Sequence, residues 1–406
     1  MSQTLKLFEA YGIELEYMIV DAKTLNIQPI ADRIIDAVAG DFVNEITQGA
    51  TSWSNELALH VIETKFTKPS LDLHGYIEHF HQDIRQINEI LAQHGACLLP
   101  TAMHPWMDPH TETRLWPHEL NEIYNQFNTI FNCQGHGWSN LQSMHINLPF
   151  SNDEEFYQLH RSIRAIIPIL PALAASSPVV EGQVTGKWDN RLSYYQNNCK
   201  RIPLISGRVV PEPIPSIDSY HQTILEPIYK AIHPLDPKGI LAHEWLNARG
   251  AIARFERMAI EIRVLDIQEC PRADLAYAHL IIETIKALVS GHFAPATDLD
   301  ALSQDQLANL FQSAWSIGPN AVIQDERLAQ QFGVSAGTSL GETWQHLNHS
   351  LIPADSPWKK DLDSLIHAGC LSQRIVKALG PEPNHAALHH VYSQLANCLA
   401  SNTFFL

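Results

Sequence analysis

The segment Ala259-Ile260-Glu261-Ile262-Arg263-Val264-Leu265-Asp266 sets an acid and a base two residues apart inside an apolar run. In a β-strand successive side chains point to opposite faces, so Glu261 and Arg263 project together while Ile260, Ile262 and Val264 pack behind them. The segment from Gly12 to Val20 repeats the device, with Glu14 and Glu16 on one face and Ile13, Leu15 and Tyr17 on the other. Strands of this kind require a sheet with one apolar and one charged face.

Acids at alternate positions of a strand lie roughly 6.5 to 7 Å apart at Cα and repel at neutral pH unless a cation or an arginine compensates. Two readings follow. One is the solvated face of a half-exposed antiparallel sheet. The other is a divalent-metal site, because Mg²⁺ prefers carboxylate oxygen and bridges carboxylates to phosphates. Ser54 to Lys65 adds Glu56 and Glu63, and Gln142 to Leu148 is a third alternating strand with Ser143, His145 and Asn147 on one face. A histidine there serves as ligand and proton carrier or as a hydrogen-bonded structural residue. Glu56 and Glu63 pose a parity problem. In one unbroken strand their odd spacing sends them to opposite faces, and the alternation of Leu57, Leu59 and Val61 favours a strand, so a bulge or bend is needed to bring both to one site.

The ordered set Gly12-Ile13-Glu14-Leu15-Glu16, Glu56, Glu63, Met144-His145-Ile146-Asn147 and Glu261-Ile262-Arg263 resembles the glutamate–cysteine ligases and related carboxylate-amine ligases, whose fold is similar to the catalytic domain of glutamine synthetase. Leu173-Ala174-Ala175-Ser176-Ser177-Pro178 with Gly182, Gly186, Arg191 and Tyr194, and Asn247-Ala248-Arg249-Gly250-Ala251, look like further motifs of that family. Any one piece recurs by chance, whereas the ordered set is specific; it covers residues 8 to 290. The resemblance implies an α+β enzyme: a curved, largely antiparallel sheet, a glutamine synthetase-like half-barrel wrapped by helices, over residues 1–290, with a helical C-terminal region over 291–406. It implies Glu14, Glu16, Glu56, Glu63, His145 and Glu261 as ligands, directly or through water, of Mg²⁺ (Mn²⁺ as a substitute) held against the phosphates of ATP. Arg263 becomes the catalytic phosphate contact. The implied reaction passes the γ-phosphoryl group of ATP to a carboxylate, with the γ-carboxylate of glutamate leading, and an amine then attacks the acyl phosphate. Cysteine is the leading acceptor, and another amino acid or a small amine comes close behind. Phosphoryl transfer needs positioning and charge neutralisation; carboxylate-held metals supply both, and a guanidinium fork fits phosphate oxygens.

Other arginines compete for roles. Arg191 has polar and aromatic neighbours suited to gripping a carboxylate or phosphate, or else lays its stem over a tryptophan. Arg249 and Arg254 flank Gly250-Ala251-Ile252-Ala253, and either is placed to reach a substrate carboxylate or the nucleotide; Arg257 pairs with Glu256 or faces solvent. Arg263 has its own plainer alternative as a structural partner of Glu261. Two rival functions remain. A metal-dependent hydrolase would use the same acids to activate water without ATP, and a non-catalytic relative would bind nucleotide or amino acid without releasing ADP.

The 406 residues fit two or three domain-sized units, or one enzyme domain with an appendage. A net charge of −17 argues against nucleic acid as a partner, leaving small molecules. Met1 to Ala10 lacks the apolar core of a signal peptide, and no stretch is long and apolar enough to span a bilayer, so no membrane partner and a cytoplasmic site are expected. The oligomeric state leaves no signal. Six cysteines without Cys-x-x-Cys spacing read as buried thiols, not a zinc cluster or disulfide framework. Helical spacing of Ile77, Phe80, Ile84, Ile87 and Leu91 predicts a helix from Tyr76 to Gln93. Further helices are expected over Glu119–Phe131, Glu154–Ile167 and Asp274–Val289, and from Ala301 onward. Pro203, Pro211, Pro213 and Pro215 stiffen a connecting loop over Ile202–Ser219. His385, His389 and His390 read as a helix turn without a metal role.

Overall fold

The computed structural model describes residues 4–406, so the first three residues of the N-terminal segment lie outside the described residues. The strands are β1 (Gly12–Asp21), β2 (Glu45–Gln48), β3 (Thr51–Asn55), β4 (Val61–Phe66), β5 (Ala96–Leu99), β6 (Ser143–Pro149), β7 (Val179–Val180), β8 (Gln183–Val184), β9 (Ala251–Arg254) and β10 (Ala259–Asp266). Apart from the small β7–β8 ribbon they form one sheet in the order β2-β3-β4-β1-β6-β10-β9, with β5 paired to the outer half of β1. Every pairing is antiparallel, as expected.

The helices include α1 (Ala31–Ala39), α2 (Tyr76–Ala92), α3 (Asn121–Phe131), α4 (Asp153–Ile166), α5 (Asn190–Tyr195), α6 (Pro271–Ser290), α7 (Gln304–Ile317), α8 (Leu340–Leu351), α9 (Lys359–Ala368), α10 (Leu371–Leu379) and α11 (His385–Ser401); further short helices and turns lie between them. Local chemistry sets their ends. Asn152 caps α4 by accepting from the Glu155 N–H, and three acids stand in its first turn, where the helix dipole favours them. α6 starts at Pro271 and stops at Gly291 in the left-handed conformation, φ 68°.

The alternation in β1 decides the layering. Ile13, Leu15, Tyr17 and Ile19 face a core shared with α2, α4 and α6. On the opposite face Glu14 and Glu16 give way to Met18 and Val20, which join Leu99 and residues of α10 and α11 in a second apolar cluster. One half of β1 is therefore buried on both faces, and the other half keeps one face polar. Trp315, Trp344 and Leu365 belong to the same core as the sheet, so α7, α8 and α9 complete that core. Arg374 of α10 forms a buried ion pair with Glu269 and donates to the Phe405 carbonyl at 2.7 Å, seating the C-terminal residues.

Ser54–Lys65 is a hairpin, not one bent strand: β3 ends at Asn55 and β4 begins at Val61. The proline-rich segment carries a 3₁₀ turn at Pro203–Ile205 and is tied to the rest by Arg249. His385 opens α11, capped by Asn384, and the described groups of converging metal-ligand side chains include none of the three histidines. Among the described residues no helix is long and apolar enough to cross a membrane.

His160 of α4 gives the fold an acid-sensitive point. It is sealed between Phe156 and Tyr220, with ring centroids 5.4 and 5.9 Å away, and neither ring nitrogen has a partner among the described residues. Burial, and after it the charges of Arg164 and Arg249, push its pKa down to about 3. The folded state keeps the ring neutral where the unfolded chain protonates, so this contribution is present above the ordinary histidine pKa of 6.5 and is lost as pH falls from there towards about 3. His160→Phe removes the titration. Its melting temperature relative to the wild type should rise as the pH is lowered from neutral to about 4.5; a difference independent of pH would contradict this account.

Candidate active site

Directly opposed residues of antiparallel neighbours lie on the same face. Glu14 stands opposite Lys65 on β4 and His145 on β6, Glu16 opposite Glu63, and Glu261 opposite Asn147. The ladder thus gathers side chains from four strands. Glu56 arrives from the turn after β3, outside the ladder and free of strand parity, which resolves its odd spacing from Glu63. All six expected acid and histidine ligands line one cavity of about 530 Å³, together with Arg191, Arg254 and Arg263.

Arg249 does not line it. Its guanidinium is paired twice with Glu212, at 2.6 and 2.7 Å, and donates to the Leu204 carbonyl at 3.1 Å. The expectation that it reaches a substrate is corrected: its donors are spent on fastening the proline-rich loop.

His145 binds Glu14 through Nδ1 at 2.9 Å and Ser143 Oγ through Nε2 at 2.9 Å, with Glu16 3.8 Å away. Burial alone would neutralise the ring, but the Glu14 hydrogen bond and the charges of Glu16, Glu14 and Glu261 push its pKa up to about 9. The same burial opposes ionisation of Glu14, and the His145 hydrogen bond overrides it, holding the carboxyl below its usual range. Glu16 accepts from the Ser143 N–H at 2.7 Å and its hydroxyl at 3.0 Å. Glu63 is raised by burial to about 7, although Lys65 lies 3.0 Å away. Glu56 is raised well above the carboxylate range by burial and then by Glu16 and Glu63.

One donor atom each from Glu14, Glu63 and His145 lie within 4.8 Å of one another, and so do those of Glu16, Glu56 and Glu63. Hard oxygen donors, crowded until some resist ionisation, fit divalent cations such as Mg²⁺ or Mn²⁺. Glu261 belongs to neither group. It accepts from Arg254 at 2.8 Å and from Arg263 Nε and Nη2 at 3.0 and 2.5 Å. Burial would raise its pKa, yet Arg263 foremost, with His145 and Arg254, holds it far below the usual range. In this structure its oxygens anchor two arginines, whereas the sequence reading makes it a metal ligand.

Several lining residues escape the sequence reading. Lys65 bridges Glu63 and Glu45, at 3.0 and 2.9 Å. Its signal is the Glu-x-base spacing of Glu63 and Lys65, the same as that of Glu261 and Arg263. Arg257 is exposed to solvent, as expected, and its guanidinium also comes within 3.6 Å of Glu14. The cavity is also lined by an aromatic wall of Tyr124 and Phe127 from α3, Trp138, Tyr195 and Trp245. Phe127 lies 5.3 Å from Trp138 and 5.7 Å from Trp245, ring centre to ring centre. Tyr124 and Phe127 share one face of α3, but Trp138, Tyr195 and Trp245 come from separate segments, so no single periodicity marks the wall.

The family model described as glutamate-cysteine ligase family 2 matches residues 10–354. An uncharacterized protein of Archaeoglobus fulgidus is 31% identical over 397 residues, covering 97% of this chain and 100% of that one. Among solved structures, glutamate–cysteine ligase from Francisella tularensis in complex with AMP matches with a TM-score of 0.66 at 12% identity, over 95% of this chain and 88% of that one. A bifunctional glutathione synthetase from Pasteurella multocida matches with a TM-score of 0.56 at 14% identity; 98% of this chain corresponds to 52% of that one. The structural likenesses speak to fold, and the family match spans every acid of the cavity. The chain belongs to glutamate–cysteine ligase family 2 and is a ligase of the carboxylate–amine kind.

Proposed function

We propose that this protein is an ATP- and Mg²⁺-dependent ligase that joins the γ-carboxylate of glutamate to the amine of cysteine, or of another amino acid or small amine, through an acyl phosphate. The observation that carries the reading is the division of one cavity into a crowded carboxylate floor and an arginine cluster. Glu14, Glu63 and His145, with Glu16, Glu56 and Glu63, would hold the cations, which supply neutralisation of phosphate charge when bound.

The remaining chemistry falls to the chain itself. Arg263 and Arg254, aligned by Glu261, present permanent charge where the transferred phosphoryl group develops its own. The aromatic wall keeps water from the acyl phosphate, so that an amine meets it first. The wall also favours an acceptor without a charged side chain, which cysteine satisfies and lysine or aspartate does not. ADP release in a panel of carboxylates and amines with Mg²⁺, followed by mass spectrometry of the product, tests the proposal. Hydrolysis without ADP would indicate the metal-dependent hydrolase, and nucleotide binding without ADP the non-catalytic relative.

Two outcomes are expected. Mg²⁺ at 100 times its Kd should stabilise the fold by about 2.7 kcal/mol through mass action, and Glu14→Gln or Glu63→Gln should remove most of the resulting rise in melting temperature. Absence of any cation-dependent shift in the wild type would count against the metal groups. Arg263→Lys retains charge but loses the fork, so kcat should fall by about 10²- to 10³-fold with nucleotide affinity nearly unchanged. Near wild-type turnover would reduce Arg263 to a structural partner of Glu261.

A further inference from the structure

β10 does not run evenly beside β6. Ile262 pairs with Ile146 and Leu265 with Met144, so three steps along β10 answer two along β6. The extra residue is a β-bulge, a device that breaks the ladder locally and re-aims a side chain. Arg263 lies within it. Its N–H donates to the Gly250 carbonyl at 3.0 Å, and its carbonyl accepts from Arg191 Nη1 and Nη2 at 3.3 and 3.4 Å.

The Arg191 guanidinium is also held from a second side. Nε donates to Asp266 Oδ1 at 2.6 Å, at the far end of the bulge. The other oxygen of Asp266 accepts from the Ser176 N–H and the Ser177 hydroxyl, both at 2.8 Å, and the Ser177 hydroxyl accepts the Arg191 N–H at 3.2 Å. Arg191 is 2% exposed and Asp266 0%. Nε and both Nη atoms are thus engaged by the protein itself, and the sequence expectation of direct binding gives way to a different role.

We propose that Arg191 is a positioning residue: braced by Asp266, it fixes the backbone of the bulge at Arg263 and so aims the Arg263 guanidinium into the cavity. The catalytic consequence rests on the ligase reading above. A buried fork suits the task because its planar donors span the carbonyl of residue 263 and the carboxylate of residue 266 at once, which a lysine ammonium on a flexible stem cannot do rigidly.

The test is a double-mutant cycle with a spectroscopic companion. Arg191→Lys should stay folded, lower kcat at least tenfold and change nucleotide affinity less than about twofold. In the Arg263→Lys background the same substitution should cost less than about twofold more, because residues acting through one another are non-additive. Additive losses, an unchanged kcat, or a higher KM for the carboxylate at constant kcat would each overturn the proposal. Should Arg191→Lys fail to fold, the paired Arg191→Met/Asp266→Leu variant removes both buried charges and enters the same cycle. The Arg263 Nε–H NMR signal supplies the companion: Arg191→Lys should broaden it or move it towards that of a free arginine, and an unchanged signal would overturn positioning. A wild type that releases no ADP would sink the ligase reading alone, because the NMR comparison still decides the positioning.

Discussion

Charge compensation across one face of the sheet is the constraint on which the rest of the molecule depends. Several buried carboxylates cannot share a low-dielectric surface unless each finds an opposite charge. Glu14 has His145, Glu63 has Lys65, and Glu261 has Arg254 and Arg263. Glu56 has no ion-pair partner among the described residues, and burial, with Glu16 and Glu63 nearby, pushes it well towards the neutral form. The sheet thus carries its own compensating charges, mounted on the same strands as the acids or on their neighbours.

Such a face needs a stiff support. The apolar side of β1 packs on α2, α4 and α6, while Met18 and Val20, on the charged side, are covered by α10 and α11. The C-terminal helices therefore close the polar face at one end and leave it open at the other, where the cavity lies. Side chains mounted on paired strands inherit the precision of the ladder, which suits a reaction governed by positioning.

Strand faces were legible because a period of two is a strong signal: Glu14, Glu16, His145, Glu261 and Arg263 all lie on the side that alternation assigns. The hairpin between β3 and β4 was not, because Glu56-Leu57-Ala58-Leu59-His60 contains none of the glycine, proline, asparagine or aspartate that mark a tight reversal. The arginines near the glycine-containing loop look alike in sequence. What separates Arg249 from Arg254 is Glu212, which captures the former from a distant loop. The aromatic wall was invisible for the same reason, being assembled by tertiary packing alone.

The hairpin turn sets Glu56 apart from every other acid of the site. Leu57 and Leu59 are tied through their backbones to Trp116, Arg114 and Ala31, so the placement of Glu56 answers to segments outside the sheet. An inserted residue within a strand inverts every side chain beyond it, whereas an insertion between residues 56 and 60 would displace a single carboxylate. The site therefore combines a rigid array, whose members can only move together, with one independently mounted arm. Divergence in the spacing of the two acid groups has a route through that arm that leaves the register of the sheet untouched.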